Sequence, residues 1–317
     1  MRFTPESPLI VWRLIDGKPG HEKQTLGLIQ ALGRQVTVEI HDIRVESGLT
    51  DLMDWLLGRF PAGAGLPAPH ILIGAGHRTH FALLAARRAR GGRAVVLMQP
   101  SLPARLFDLC LIPEHDQPAA RPNVVATRGA LNAVSPGRQH RPDLGLILIG
   151  GPSEHYAWDS QQVLEQIARL TRETPNVGWR LTTSRRTPAD FLDRLTPTRP
   201  SNLEILPCED TPPGWLETEL AQTGQAWVTE DSVSMVYEAL TAGCAVGLLR
   251  LPQGQDGRVA RGVARLIREG WVVPFETWHA DQPMLSAPEG FDEADRCARL
   301  ILADWFQSPT RPAEHRQ

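Results

Sequence analysis

The sequence predicts an α/β protein made of two successive open sheets, largely parallel and covered by helices. Three observations carry this. Short apolar runs alternate with amphipathic helical stretches from one end of the chain to the other. The runs are apolar on both faces, as strands sandwiched between helix layers must be. The alternation breaks at one polar stretch, residues 132–143 (NAVSPGRQHRPD), and then restarts, so this stretch reads as an interdomain linker.

In the first half, strands are expected at 9–15, 36–43, 70–74, 94–98, 109–113 and 123–127, with helices at 22–32, 49–60 and 79–90. The opening run LIVWRLI follows a proline and an acid, and no cleavage-like segment comes after it, so it reads as a buried strand and not a signal peptide. In the second half, strands at 144–149, 177–183, 203–206, 226–229, 245–251 and 271–275 alternate with helices at 161–172, 188–195, 215–222, 232–241 and 259–269. A last helix, 292–305, precedes a polar stub. The expected domains are 1–135 and 143–290, with residues 291–317 returning towards the first.

Composition narrows the function classes. Lys+Arg 33 against Asp+Glu 36 gives a net charge of −3, which argues against a strongly basic nucleic-acid binder. The 42% hydrophobic and 22% charged content is globular, not disordered. Cys110, Cys208, Cys244 and Cys297 lie far apart without a CxxC pair, so a reducing cytoplasm suits the chain better than a disulfide or zinc scaffold. No apolar run approaches the roughly 20 residues that span a bilayer.

In open parallel sheets, ligands collect at the carboxyl ends of strands. Five segments there carry chemistry. Asp16-Gly17-Lys18-Pro19-Gly20-His21 joins the first strand to a helix. Its glycines allow close ligand approach, and His21 is suited to take a proton from a hydroxyl. A strand-to-helix turn with a capping histidine is the plain alternative. Gly74-Ala75-Gly76-His77 repeats the strand-to-helix pattern after the third strand. His77 and His80 are three apart, but without HExxH or paired carboxylates no metal site is expected.

The other three lie in the second half. Gly150-Gly151-Pro152-Ser153 leaves backbone open to a phosphate. Arg185 and Arg186 offer forked donors to a diphosphate, or else decorate a solvated turn. Asp231-Ser232-Val233-Ser234-Met235 opens a helix whose amides suit a phosphate, and Glu238, about two turns on, would accept from ribose hydroxyls. A capped core helix whose Glu finds an Arg explains the same residues.

Taken in order, DGKPGH, ILIGAGHRTH, VVLMQP, LILIGGPS and DSVSMVYEALTAGCAVGLLRLP resemble the motifs of GT-B glycosyltransferases, the peptidoglycan N-acetylglucosaminyltransferase being the nearest functional analogy. In wording, DGKPGHEKQTLGL, SRRT and DSVSM resemble more specifically the family named for a plant mitochondrial-fission factor, whose bacterial relatives are described as nucleoside-diphosphate-sugar epimerases. The resemblance implies a GT-B-like fold, two Rossmann-like domains facing a central cleft. It implies a nucleotide-sugar donor with Glu238 at the ribose and Ser232, Ser234 and Met235 at the phosphates. From the residues themselves, Gly150, Gly151, Ser153, Arg185, Arg186 and Asp231 are expected on that side, although SRRT stands where the peptidoglycan enzyme has a His-containing loop. Lys18, Gly20, Gly74, Gly76 and His77 fall on the acceptor side, with His21 or Asp16 as the base. The expected reaction is a metal-independent, inverting transfer of a sugar to a hydroxyl acceptor, with no cofactor. By analogy the acceptor is a cell-envelope glycolipid at the inner face of a membrane. An epimerase using the same donor site and a non-catalytic interaction factor stay open.

Overall fold

Residues 7–45, 48–137, 139–252, 254, 257–282, 284 and 289–306 are described by a computed structural model. The chain divides into two compact units, one from Met1–Ala133 with Glu293–Gln317 and the other from Val134–Asp292.

In the first unit, strands β1 (Leu9–Ile15), β2 (Val38–Arg44), β3 (Ile71–Ala75), β4 (Arg93–Leu97), β5 (Leu109–Pro113) and β6 (Val124–Thr127) form one parallel sheet in the order β2-β1-β3-β4-β5-β6. Helices α1 (Pro19–Gly33), α2 (Gly48–Leu57) and α3 (His80–Arg90) are joined by the last helix of the chain. Alternate residues of a strand point to opposite faces, and the core obeys this. Leu9 and Val11 of β1 bury against Leu28 and Leu32 of α1, while Ile10, Trp12 and Leu14 bury on the other face with Leu83 and Leu84 of α3. Full burial of such side chains contributes about 1.5–3 kcal/mol each, which is why both faces of these strands are apolar.

The second unit repeats the plan. β7 (Arg141–Leu148), β8 (Gly178–Thr182), β9 (Leu203–Ile205), β10 (Thr223–Thr229), β11 (Ala245–Leu249) and β12 (Val272–Pro274) pair in parallel in the order β12-β11-β10-β7-β8-β9. One face packs on α7 (Val233–Ala242) and α8 (Arg258–Arg268), the other on α4 (Ser160–Glu173) and α5 (Asp190–Leu195); α6 (Trp215–Leu220) leads into β10.

The sheet orders locate the sites. In the first unit the chain reverses direction across the sheet between β1 and β3, and in the second between β7 and β10. Connections to the two neighbouring strands there run to opposite sides of the sheet, which opens a crevice at the strand ends. The four loops that meet at these two switch points carry DGKPGH, GAGH, GGPS and TEDS.

Every expected strand and helix forms, β1 and β5 with the expected ends and the others with shifted ones. Two shifts have clear causes. α1 begins at Pro19, not 22, because proline at the first helical position loses no hydrogen bond there. The polar stretch expected to end at 143 already contains the start of β7. Arg141 pairs with Thr223 of β10 and forms an exposed ion pair with Asp143 at 2.6 Å, so polar side chains here belong to a strand end.

Candidate functional site

At the β1/β3 switch point, Asp16 ends β1 with its side chain fully buried. Its Oδ2 lies 2.9 Å from His21 Nδ1, and its Oδ1 accepts from the Lys18 amide at 3.2 Å. The carboxylate thus spans the turn and fixes a histidine on the first turn of α1. Gly17 has φ +79, a conformation that side chains resist, and this lets the backbone fold back over Asp16. Gly76 has φ +81, and a Cβ there would sit 2.2 Å from His21 Cε1, so the second glycine loop forms a wall against the imidazole. With Nδ1 on the carboxylate, Nε2 is the ring's second proton site, on a side chain 17% exposed. Lys18, Gly20 and His77 are exposed around it.

Gly74 lies inside β3, not in the loop. A Cβ there would meet Thr79 Oγ1 at 2.7 Å and Leu83 at 3.0 Å, so this glycine serves helix-on-sheet packing. His80 is buried, with Nδ1 3.1 Å from Ser101 Oγ, its ring edge-on to Phe107 and Nε2 without a partner. Burial, and after it His77, lowers its pKa to about 4. It therefore stays neutral near pH 7. Among the described residues, no group of three or more His, Cys, Asp or Glu side chains is arranged to hold a metal ion.

At the β7/β10 switch point the loops are bonded into one knot. The Gly150 amide donates to Thr229 Oγ1 at 2.8 Å and the Gly151 amide to Asp231 Oδ2 at 3.1 Å. A Cβ on Gly150 would lie 2.2 Å from Ser232 Oγ, and one on Gly151 would lie 2.1 Å from the Arg186 carbonyl. Only glycines permit that approach. Arg186 donates to Asp231 Oδ2 at 2.6 Å, to Ser232 Oγ at 3.2 Å, and to the carbonyls of Gly151 and Pro152 at 3.1 and 3.2 Å. Arg185 beside it is exposed.

Ser232 is the N-cap residue of α7 but makes no capping bond with its side chain; its hydroxyl donates to Asp231 Oδ2 at 3.0 Å. The first-turn amides, which include those of Ser234 and Met235, are therefore not closed off by their own cap. Ser234 is exposed, Met235 half-buried and Glu238 buried in the same helix. Ser153 accepts from the amides of His155 and Tyr156 at 3.3 and 3.1 Å, which sets the turn after the glycines.

One group escaped the sequence reading. Glu230, 1% exposed, accepts from Arg250 Nη1 at 2.9 Å and from the Leu251 amide at 3.1 Å, while Arg250 Nε reaches Glu276 at 2.8 Å. Burial is the main reason its pKa is raised. An acid directly after an apolar strand end was the signal available.

Residues 19–305 match the family model of mitochondrial fission ELM1, a span covering most of the chain. The chain belongs to this family. It is the family that DGKPGH, SRRT and DSVSM resemble. No curated protein matches the sequence. Among solved structures, the ELM1-family chain is similar to the UDP-GlcNAc 2-epimerase of Methanocaldococcus jannaschii, with a TM-score of 0.56 at 11% identity over 93% of this chain and 99% of that one. A Listeria monocytogenes protein assigned as a UDP-N-acetylglucosamine 2-epimerase gives 0.54 at 13% identity, over 94% and 88%. MurG of Acinetobacter baumannii gives 0.49 at 15% identity, over 93% and 91%. The first two likenesses show the fold, which is GT-B-like with two Rossmann-like units.

Proposed function

We propose that this protein is a nucleotide-sugar-dependent glycosyltransferase that inverts the anomeric centre and acts on a hydroxyl acceptor. The observation that carries the reading is the Asp16–His21 pair. A buried carboxylate on Nδ1 of a partly exposed imidazole, at a strand end, is the arrangement that prepares Nε2 to take a proton from a hydroxyl. The nucleoside diphosphate is assigned to the second unit. Its phosphates face the Gly150-Gly151 turn and the first turn of α7, and its ribose faces Glu238.

In the step itself, the acceptor O–H gives its proton to His21 Nε2 as its oxygen attacks the anomeric carbon from the side opposite the diphosphate. The C–O bond to the diphosphate breaks, and its electron pair leaves on the phosphate oxygen. Cationic and N–H donors of the second unit meet the charge that develops there, so the reading calls for no metal ion. The families of the structural neighbours, which act on UDP-GlcNAc by name, support a UDP-sugar as first donor to test. Lipid-linked hydroxyls are the first acceptors. Among the described residues no helix is long and apolar enough to cross a membrane.

The test is calorimetry of the full chain against UDP, ADP, GDP and dTDP and their sugars. Product analysis with sugar and lipid-linked hydroxyl acceptors in vesicles follows. Diphosphate release coupled to a new glycosidic bond is expected. A donor that binds and is only isomerised would replace transferase with epimerase.

A further inference from the structure

The two adjacent arginines, Arg185 and Arg186, look interchangeable in sequence and are not interchangeable in the fold. Arg186 has four acceptors for its guanidinium, all within the knot: Asp231 Oδ2, Ser232 Oγ and the carbonyls of Gly151 and Pro152. Asp231 is fully buried at its side chain, and its Oδ2 takes three donors, from Arg186, the Gly151 amide and Ser232 Oγ. Its Oδ1 is buried with no partner, pressed where a Gly150 Cβ would come within 2.4 Å. A buried carboxylate with one idle oxygen depends on its counter-ion, since removing that ion leaves the charge uncompensated. The guanidinium fork is thus committed to neutralising Asp231 and to holding both loop carbonyls at once, a geometry that an ammonium would not reproduce.

We infer that Arg186 is a positioning residue that ties the Gly150-Gly151 turn to the start of α7, and that Arg185 is the arginine of the pair that takes the donor's phosphates. This rests on the donor reading of the second unit. The assignment makes the pair a division of labour: one cation shapes the phosphate seat, and the other, exposed beside it, pairs with the phosphate.

The experiment uses the full chain, with whichever of UDP, ADP, GDP or dTDP binds best, and its nucleoside. Calorimetry gives affinity, and thermal melting gives stability. Arg185→Ala should weaken diphosphate binding by about 10–100-fold, the loss of one hydrogen bond to a charged group. Nucleoside affinity and Tm should not move. Arg186→Ala should lower Tm and diphosphate affinity together, with Arg186→Lys rescuing neither. The deciding variant is Arg186→Met with Asp231→Asn. It removes both charges, so Tm should recover towards the parent, while diphosphate affinity stays at least about tenfold down because the loop carbonyls are untied. Affinity that recovers along with Tm would show a purely structural pair and overturn the positioning role. Unchanged diphosphate binding in Arg185→Ala would overturn the phosphate role of Arg185 alone. A parent chain that binds none of the four diphosphates overturns the donor reading, and this assignment with it.

Discussion

The carboxylate at each switch point is used differently. Asp16 spreads its two oxygens over two partners, one imidazole and one amide. Asp231 gathers three donors on a single oxygen and leaves the other idle. The first arrangement aims a ring and leaves Nε2 of that ring as a proton site. The second fastens three stretches of chain that are distant in sequence. Under the proposed reaction, a buried acid at a strand end serves reactivity in one unit and shape in the other, and the partners of its oxygens tell which.

The sharpest way to break this contrast is at His21. His21→Ala should cut turnover by about 10²–10⁴-fold, the loss of a general base. Donor affinity should stay near the parent's, while melting should fall somewhat because Asp16 loses its partner; normal turnover would take His21 out of the reaction. Asp16→Asn should also slow turnover, because the amide no longer holds the imidazole in the same tautomer.

In the second unit the expected effect is on stability. Arg186→Ala leaves Asp231 buried and unpaired and should cost ~3 kcal/mol in denaturant unfolding, near the lower end for a broken buried pair because the arginine is 45% exposed. Asp231→Ala removes the buried charge itself and leaves two neutral donors and a guanidinium that water reaches, so it should cost less, about 1–2 kcal/mol. Equal losses from the two variants would contradict the fastening role.

Smaller effects come from titration in the first unit, away from the dyad. Stability changes with pH in proportion to the protons bound unfolded minus those bound folded. His80 falls from 6.5 to about 4 on folding, so between those values the unfolded chain binds more protons and stability is lost as pH falls. Asp51 rises from 3.8 to about 6, chiefly through burial and then through Asp54, so the folded chain binds more protons there and stability is lost as pH rises. The two oppose each other in the acid range. His80→Gln should lessen the acid loss, and Asp51→Asn should raise Tm at pH 7 while changing little at pH 3.5. Melting curves of both variants from pH 3.5 to 7 check the signs. The smallest expected change is Ser234→Ala, within ~0.5 kcal/mol for an exposed position free of such features, measurable beside its effect on diphosphate affinity.

The strands were legible because both-face burial demands unbroken apolar runs such as LIVWRLI and AVGLL. Their ends were less so: Arg141 and Asp143 satisfy each other in solvent and look like linker composition while already pairing in β7. The Asp16–His21 pair was readable as a candidate since its members stand only five positions apart. The partners of Arg186 were not, because Gly151 and Asp231 lie 35 and 45 residues away from it and nothing local marks the bond. Arg250 was invisible for the same reason; its acid stands 20 residues earlier, across the β10–β11 crossover.

The chain leaves the first unit at Ala133 and comes back to it only with α9 (Glu293–Trp305). Ala298 and Ile301 of that helix share a core with Leu28 and Leu32 of α1, and Glu293 accepts from the Arg128 amide at 3.0 Å. During synthesis the second unit, contiguous in sequence, can close as soon as it has emerged, whereas the part of the first unit's core beside α1 stays uncovered until Glu293–Trp305 have been made. The second unit can thus be complete before the first, although it comes later in the chain. A stop codon or a cut just before Glu293 would leave a finished second unit joined to a first unit whose apolar surface along α1 is bare, and it is there that a chaperone would have to stand guard.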